Sequence, residues 1–262
     1  MKTVIKNWWL GGVASYSADA QAVFDLMSGL TPTQKEAMAT FIDGSVSDGN
    51  WTLLDVFQFY GLGATDGLKN WKSASFIATN PSGYSFATGG IDIPGTGNGV
   101  LTNYNPTNAA ATNWAARNAL EMVYVYTNDE TTDQDILVGG TGVIYTYQRT
   151  VASRIDFLSV NGSARQVTGY GSGFVRGLWT ARLVESGLSD TLQVYVDGVN
   201  KGTGAGTVTV ERNDTARVGG RSDSATSTFN GIVTLYGAGA GDGFDVPAFS
   251  TRLDTMIAAL GL

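Results

Sequence analysis

The sequence has no histidine and no cysteine in 262 residues. Without imidazole it lacks the usual general base at neutral pH and the commonest metal ligand. Without thiols it forms no disulfide, thiolate nucleophile or zinc-thiolate centre, and its redox compartment stays open. Charge is also sparse, at 15% of residues, and the formal net charge is -7. Lys and Arg stand singly rather than in a stripe, so the chain repels phosphate backbones and nucleic acid is not an expected partner. No stretch reaches the apolar length that spans a bilayer, so membrane insertion is not expected. The opening Met1 to Leu10 has two lysines and an apolar end, but Asn7, Gly11, Gly12 and Ser15 interrupt the run, and no cleaved secretory leader is expected.

What is present is apolar and turn-rich: 43% hydrophobic residues with 35 glycines, a balance that fits β-structure rather than disorder. The first seventy residues read as an arm followed by short helices. Phe24, Met27 and Leu30 sit at helical spacing. Thr31-Pro32-Thr33-Gln34 is a helix start, with a capping threonine, proline at the first helical position and glutamine completing a capping box. Asp48 can cap a further short helix carrying Trp51, Leu54 and Phe57.

From Trp71 onward, short apolar runs alternate with Gly, Asn, Ser and Asp, which predicts strands. The expected strands include Ser75–Thr79, Tyr84–Ala87, Ala119–Tyr126, Ile136–Val138, Val143–Gln148, Arg154–Val160, Arg176–Leu183, Leu192–Val196, Thr207–Val210, Ala216–Val218 and Gly231–Gly237. Leu192, Val194 and Val196 alternate with Gln193 and Tyr195, and Asp197-Gly198 follows as a hairpin turn. Gly237 to Gly241 reads as a short flexible joint. Phe249, Leu253, Met256, Ile257 and Leu260 form the apolar stripe of a closing helix after Asp245-Val246-Pro247.

The glycine clusters at 95–99, 169–173 and 202–206 lack the lysine and helix of a phosphate cradle, and tight turns are the expected reading. Trp51, Trp71 and Trp179 are expected in the core. Trp8 and Trp9 stand in the arm without apolar periodicity, which makes them candidate assembly contacts, with packing back onto this chain's own sandwich as the competing reading. Tyr104 and Trp114 flank an Asn- and Ala-rich loop; they are candidate glycan-stacking residues, with a small satellite core as the competing reading.

Four segments carry a family resemblance: Trp51 to Phe57 with Leu68 to Lys72; Asn80 to Phe86 with Leu101 to Thr107; Gln193 to Val199; and Gly231 to Gly239 leading into the terminal helix. Together they resemble bacteriophage and prophage virion proteins with concanavalin A-like, laminin-G-like domains. The resemblance implies an all-β fold, a two-sheet antiparallel jelly-roll sandwich with short N-terminal helices and a C-terminal amphipathic helix. Its implied divisions are residues 1–70 for attachment and oligomerisation, 71–246 for the sandwich and 247–262 for the closing helix.

It further implies a non-enzymatic virion structural protein, such as a tail, collar, fibre or head-decoration component. Such a protein is made in the host bacterial cytoplasm and partnered by other virion proteins and its own copies. The alternative it leaves open is a carbohydrate-binding adhesin that recognises a host surface glycan. Glucanases with concanavalin-like sandwiches carry paired acids on one strand, whereas Glu36, Glu121, Glu130, Glu185 and Glu211 are isolated here. Asp133 and Asp135 have the spacing but lie in a polar turn region, so no catalytic residue is expected. No cofactor is expected either. Calcium, which related domains bind, has Asp129, Asp133, Asp135, Asp223, Asp242 and Asp245 as available oxygens, and ordinary turn chemistry accounts for each.

Overall fold

The computed structural model describes residues 15–115, 117–129, 134–138, 145–149, 154–158, 164–168, 176–186, 189–206, 215–220 and 229–262. The chain starts with α1 (Ala18–Leu26), α2 (Pro32–Ser47) and the single turn α3 (Asn50–Leu53), then enters strand β1 (Leu54–Phe59). A 3-10 turn and α4 (Gly63–Asp66) precede β2 (Ser85–Ala87), β3 (Gly90–Pro94), β4 (Val100–Leu101) and β5 (Ala119–Asn128). Next come β6 (Gln134–Val138), β7 (Tyr145–Arg149), β8 (Arg154–Leu158), β9 (Ala164–Thr168), β10 (Gly177–Ser186), β11 (Ser189–Val196) and β12 (Val199–Gly206). β13 (Arg217–Val218), β14 (Asn230–Gly239) and α5 (Val246–Ala259) close the chain.

Two antiparallel sheets result. The larger runs β12-β11-β10-β5-β14-β3-β2, with β1 also on β14; the smaller runs β4-β13-β6-β7-β8-β9. β6 to β9, and likewise β10 to β12, are neighbours in chain order, so much of each sheet is a meander.

The all-β jelly-roll expectation is corrected here: the protein is a mixed α/β structure in three layers. The reason lies in the central strands of the large sheet, such as β5 and β14, which are buried on both faces. On β5, Ala119, Val123 and Val125 join the core between the sheets, while Leu120, Met122 and Tyr124 join a second core under the helices. A strand flanked by solvent alternates apolar with polar; one covered on both sides reads as a continuous apolar run, as 119–125 does apart from Glu121. The covering layer is α1, α2 and α5. Phe41 and Ile42 of α2 and Phe249, Leu253, Met256 and Ile257 of α5 are nearly or fully buried against it. The small sheet contributes Val100 and Val218 to the core between the sheets.

Local sequence explains the helix ends. Thr31 caps α2, and Gln34 returns the bond to the Thr31 N–H at 2.8 Å, so the predicted capping box forms. Asp48 lies at the end of α2 rather than at the start of a new helix, and its carboxylate takes two hydrogen bonds from the Arg252 guanidinium of α5. That guanidinium holds the Asp48 carboxyl below the usual carboxylate range, against a smaller opposing effect of desolvation.

A carboxyl whose folded pKa is depressed stabilises fully above its unfolded value, about 3.9, and loses that contribution as pH falls through the lower folded value. Asp48→Asn should therefore lower the melting temperature at neutral pH. In thermal scans the two proteins should converge as pH falls below the depressed folded value of Asp48.

Three further expectations change. Leu54 and Phe57, placed on a helix by spacing, lie in β1, because Leu54–Phe59 pairs along β14 from Gly239 to Leu235. The 202–206 glycines, read as a turn, lie in edge strand β12, while Asp197 and Gly198 with positive φ make the expected two-residue turn before it. Gly237 and Gly239 belong to β14 rather than to a flexible joint. A Cβ on Gly239 would fall 2.1 Å from the Leu53 carbonyl oxygen, so only glycine lets β14 approach the chain entering β1. Ser75–Thr79 makes a single bridge, Thr79 to Leu101. Thr207–Val210 lies outside the described residues. Among the described residues no helix is long and apolar enough to cross a membrane.

Candidate functional site

Tyr104 and Trp114, the candidate stacking residues, point inward. Tyr104 is 0% exposed and Trp114 7%, and their rings meet edge to face at 6.2 Å within the core between the sheets. A ring so placed presents no face to a sugar, and both rings belong to the main core between the sheets rather than to a separate small core under the loop. Both are held by Asp55 of β1. Its carboxylate accepts from the Tyr104 hydroxyl at 3.0 Å and from the backbone N–H groups of Thr112, Asn113 and Trp114 at 2.9 to 3.1 Å. Trp8 and Trp9 lie outside the described residues. Trp51 and Trp71 are buried on the helix side of the large sheet and Trp179 between the sheets.

A second buried acid, Glu121, faces the core between the sheets from β5. Its cross-strand neighbours, Ala181 on β10 and Ala238 on β14, are small enough to make room for it. The Tyr236 hydroxyl donates to it at 3.2 Å. Asp55 and Glu121 are thus inside the protein, each bonded to the protein's own donors. Among the described residues no three acidic or other ligating side chains gather as a metal site would require. Asp245 caps α5 through the Ala248 N–H, Asp242 is exposed, and Asp133 and Asp223 lie outside the described residues.

The polar concavity lies elsewhere, on the β2–β3 edge of the large sheet. Ile91 and Ile93 point into the core between the sheets, so Asp92 between them faces the opposite way. Asp92 pairs across with Ser85 of β2 on one side and Ile232 of β14 on the other, and paired residues share a face. The cleft there holds about 380 Å³ and is lined by Ser82, Gly83, Tyr84, Ser85, Asp92, Pro94, Thr96 and Gly97.

Its walls are fastened from below. Asn80 holds the 80–84 turn, its side-chain amide donating to the Tyr84 carbonyl at 2.7 Å and its oxygen accepting from the Tyr84 N–H at 2.9 Å. The Tyr84 hydroxyl then donates to the Thr96 carbonyl at 2.7 Å and accepts from the Gly99 N–H at 3.1 Å, tying the second loop to the first. Gly97 has a φ of +93°, and a Cβ there would lie 2.5 Å from the Tyr84 hydroxyl. Glycine keeps the wall close and the cleft open. Among the described residues, no protein partner occupies the Asp92 carboxylate or the Ser85 and Thr96 hydroxyls.

A larger groove, about 580 Å³, runs between α2 and α5. Its floor of Ala37, Phe41, Met256 and Ala259 is apolar, and of its polar rim Arg252 is bonded to Asp48 while Thr40, Thr251 and Thr255 donate to carbonyls of their own helices. The smaller cleft is the better candidate because its lining carries open polar groups on a fixed frame. Sequence reasoning missed it. The clue was Ile91-Asp92-Ile93, a short alternation between Gly90 and Pro94 that marks a strand with an outward acid.

No family model matches the chain, and no curated protein is similar to it. Solved structures do match. Trypanosoma rangeli sialidase superposes with a TM-score of 0.54 at 13% identity, over 85% of this chain and 39% of the sialidase. The same enzyme in complex with sialic acid gives 0.55 at 14%, over 78% and 34%. Domain 4 of an extracellular arabinanase from Geobacillus stearothermophilus, in complex with arabinotriose, gives 0.50 at 13%, over 75% of this chain and 98% of that domain.

The chain shares its overall fold with these structures. At these identities the likeness establishes the fold alone, and the chain spans about two fifths of the sialidase it matches. It nevertheless corrects the virion resemblance. Proteins that share this architecture include a sialidase and an arabinanase domain, so the structural role in a phage particle and the virion partners are withdrawn. The expectation of a non-enzymatic protein is withdrawn with them, because chains of enzymes carry this fold.

Proposed function

We propose that this protein binds carbohydrate, with the sugar seated in the cleft between the 82–85 and 92–97 segments. The observation that carries the reading is the set of open polar groups there: the Asp92 carboxylate and the Ser85 and Thr96 hydroxyls, on a backbone fixed by Tyr84 and Asn80. A carboxylate accepts from two neighbouring sugar hydroxyls at once, and flanking hydroxyls both donate and accept. The arabinanase domain solved with arabinotriose supports the reading, because nearly its whole length superposes on this chain.

Calorimetric titration of the full chain with arabinotriose and a panel of other short oligosaccharides tests the proposal. Asp92→Ala should weaken binding of whichever sugar binds by about tenfold or more, since a hydrogen bond to a charged group contributes about 1.5–3 kcal/mol. The melting temperature should stay within a degree or two, because Asp92 holds no other part of the described protein. Binding unchanged in Asp92→Ala would remove the cleft from the account. Assaying the same mixtures for new reducing ends shows whether the protein also cleaves what it binds.

A further inference from the structure

We infer that the cleft takes neutral sugars and rejects those bearing a carboxylate, an inference that rests on the sugar-binding reading of this same site. The charge of the cleft sets this preference. The lining holds one ionisable side chain with a carboxylate, Asp92, and neither lysine nor arginine. Recognition of a carboxylate sugar calls for a cation, best a guanidinium that meets both oxygens. Among the described residues, Arg217 lies beside this loop, and its Nη1 donates to the Asn98 carbonyl at 3.0 Å without joining the cleft lining.

An acidic sugar would instead bring its own carboxylate up to Asp92, at a partly buried position where like charges are poorly screened. The net charge of -7 adds to the repulsion at long range. Sharing a fold with a sialidase solved with sialic acid therefore does not carry over to sharing its ligand. Neutral hydroxyls suit the same lining: Asp92 accepts from them, and Ser85 and Thr96 exchange hydrogen bonds with them.

The test compares matched pairs, so that ring and linkage are constant. Each oligosaccharide of the panel, arabinotriose included, is titrated into the full chain beside its derivative oxidised at the primary hydroxyl to a carboxylate. Neutral members should bind at least tenfold tighter than their acidic partners in low salt, and the gap should narrow in high salt. Asp92→Asn, which keeps the shape and removes the charge while exchanging one acceptor oxygen for a donor NH2, should narrow it too. Acidic partners binding as well as neutral ones, or a gap that Asp92→Asn leaves intact, would overturn the inference while sugar binding stood. Failure of every member of the panel to bind at millimolar concentration would overturn the sugar-binding reading itself, and this inference with it.

Discussion

Asp55→Ala should destabilise the protein by about 3–5 kcal/mol, the range for removing one side of a buried charged network. Asp55 is 6% exposed, and its carboxylate serves four donors at 3.1 Å or less, the Tyr104 hydroxyl and three consecutive backbone N–H groups, 112 to 114, with the Thr112 hydroxyl a longer fifth at 3.4 Å. Alanine leaves all four without an acceptor in a place water reaches poorly, and each unsatisfied buried group costs about 1–3 kcal/mol. Asp55→Asn keeps the shape but turns an NH2 toward some of the donors, so it should fall between wild type and alanine. Urea denaturation gives the size of both effects. A loss below about 1 kcal/mol for alanine would mean that the 104–114 loop is not held by this residue.

Phe57→Ala should cost a similar amount, about 3–5 kcal/mol. Phe57 is fully buried on the helix side of β1, with ring centroids of Trp71 at 4.9 Å, Phe41 at 5.3 Å, Trp51 at 6.0 Å and Phe249 at 6.1 Å. Phe41 belongs to α2 and Phe249 to α5, so one ring joins both helices to the large sheet. The loss should therefore be uneven. Hydrogen exchange should quicken in α2 and α5 by more than in β10 and β11, whose packing partners across the sandwich remain in place. Uniform acceleration through the chain would mean that helices and sheets open as one unit.

Legibility in the sequence followed how local the deciding interactions were. The capping box at Thr31 and Gln34, the Asp197-Gly198 turn and the stripe of α5 are each fixed within a few residues, and each forms as read. β1 was hidden because Leu54 and Phe57 also satisfy a helical spacing. Its conformation is decided by pairing with β14, some 180 residues later in the chain. The third layer was hidden for a related reason: the continuous apolar run on β5 says that both faces are covered, but not by what. β12 was hidden by its glycines, which an edge strand tolerates.

The cleft was the least legible part. Ser85, Asp92 and Thr96 are unremarkable singly, and only the β2–β3 register and the Tyr84 clamp bring them together. Tyr104 and Trp114 drew attention because aromatic residues beside a polar loop are a common sugar platform, yet Asp55 pulls that loop inward and takes both rings with it. The virion resemblance rested on segments such as the strand before Asp197-Gly198, which report a hairpin and carry no information about what the protein binds.

Backbone amide shifts of the full chain, followed by NMR while arabinotriose and then the other neutral sugars are titrated in, test the sugar cleft most directly. The account predicts saturable changes centred on residues 82–85 and 92–97, absent in Asp92→Ala. Changes centred on the groove between α2 and α5, or none with any sugar at millimolar concentration, would contradict it.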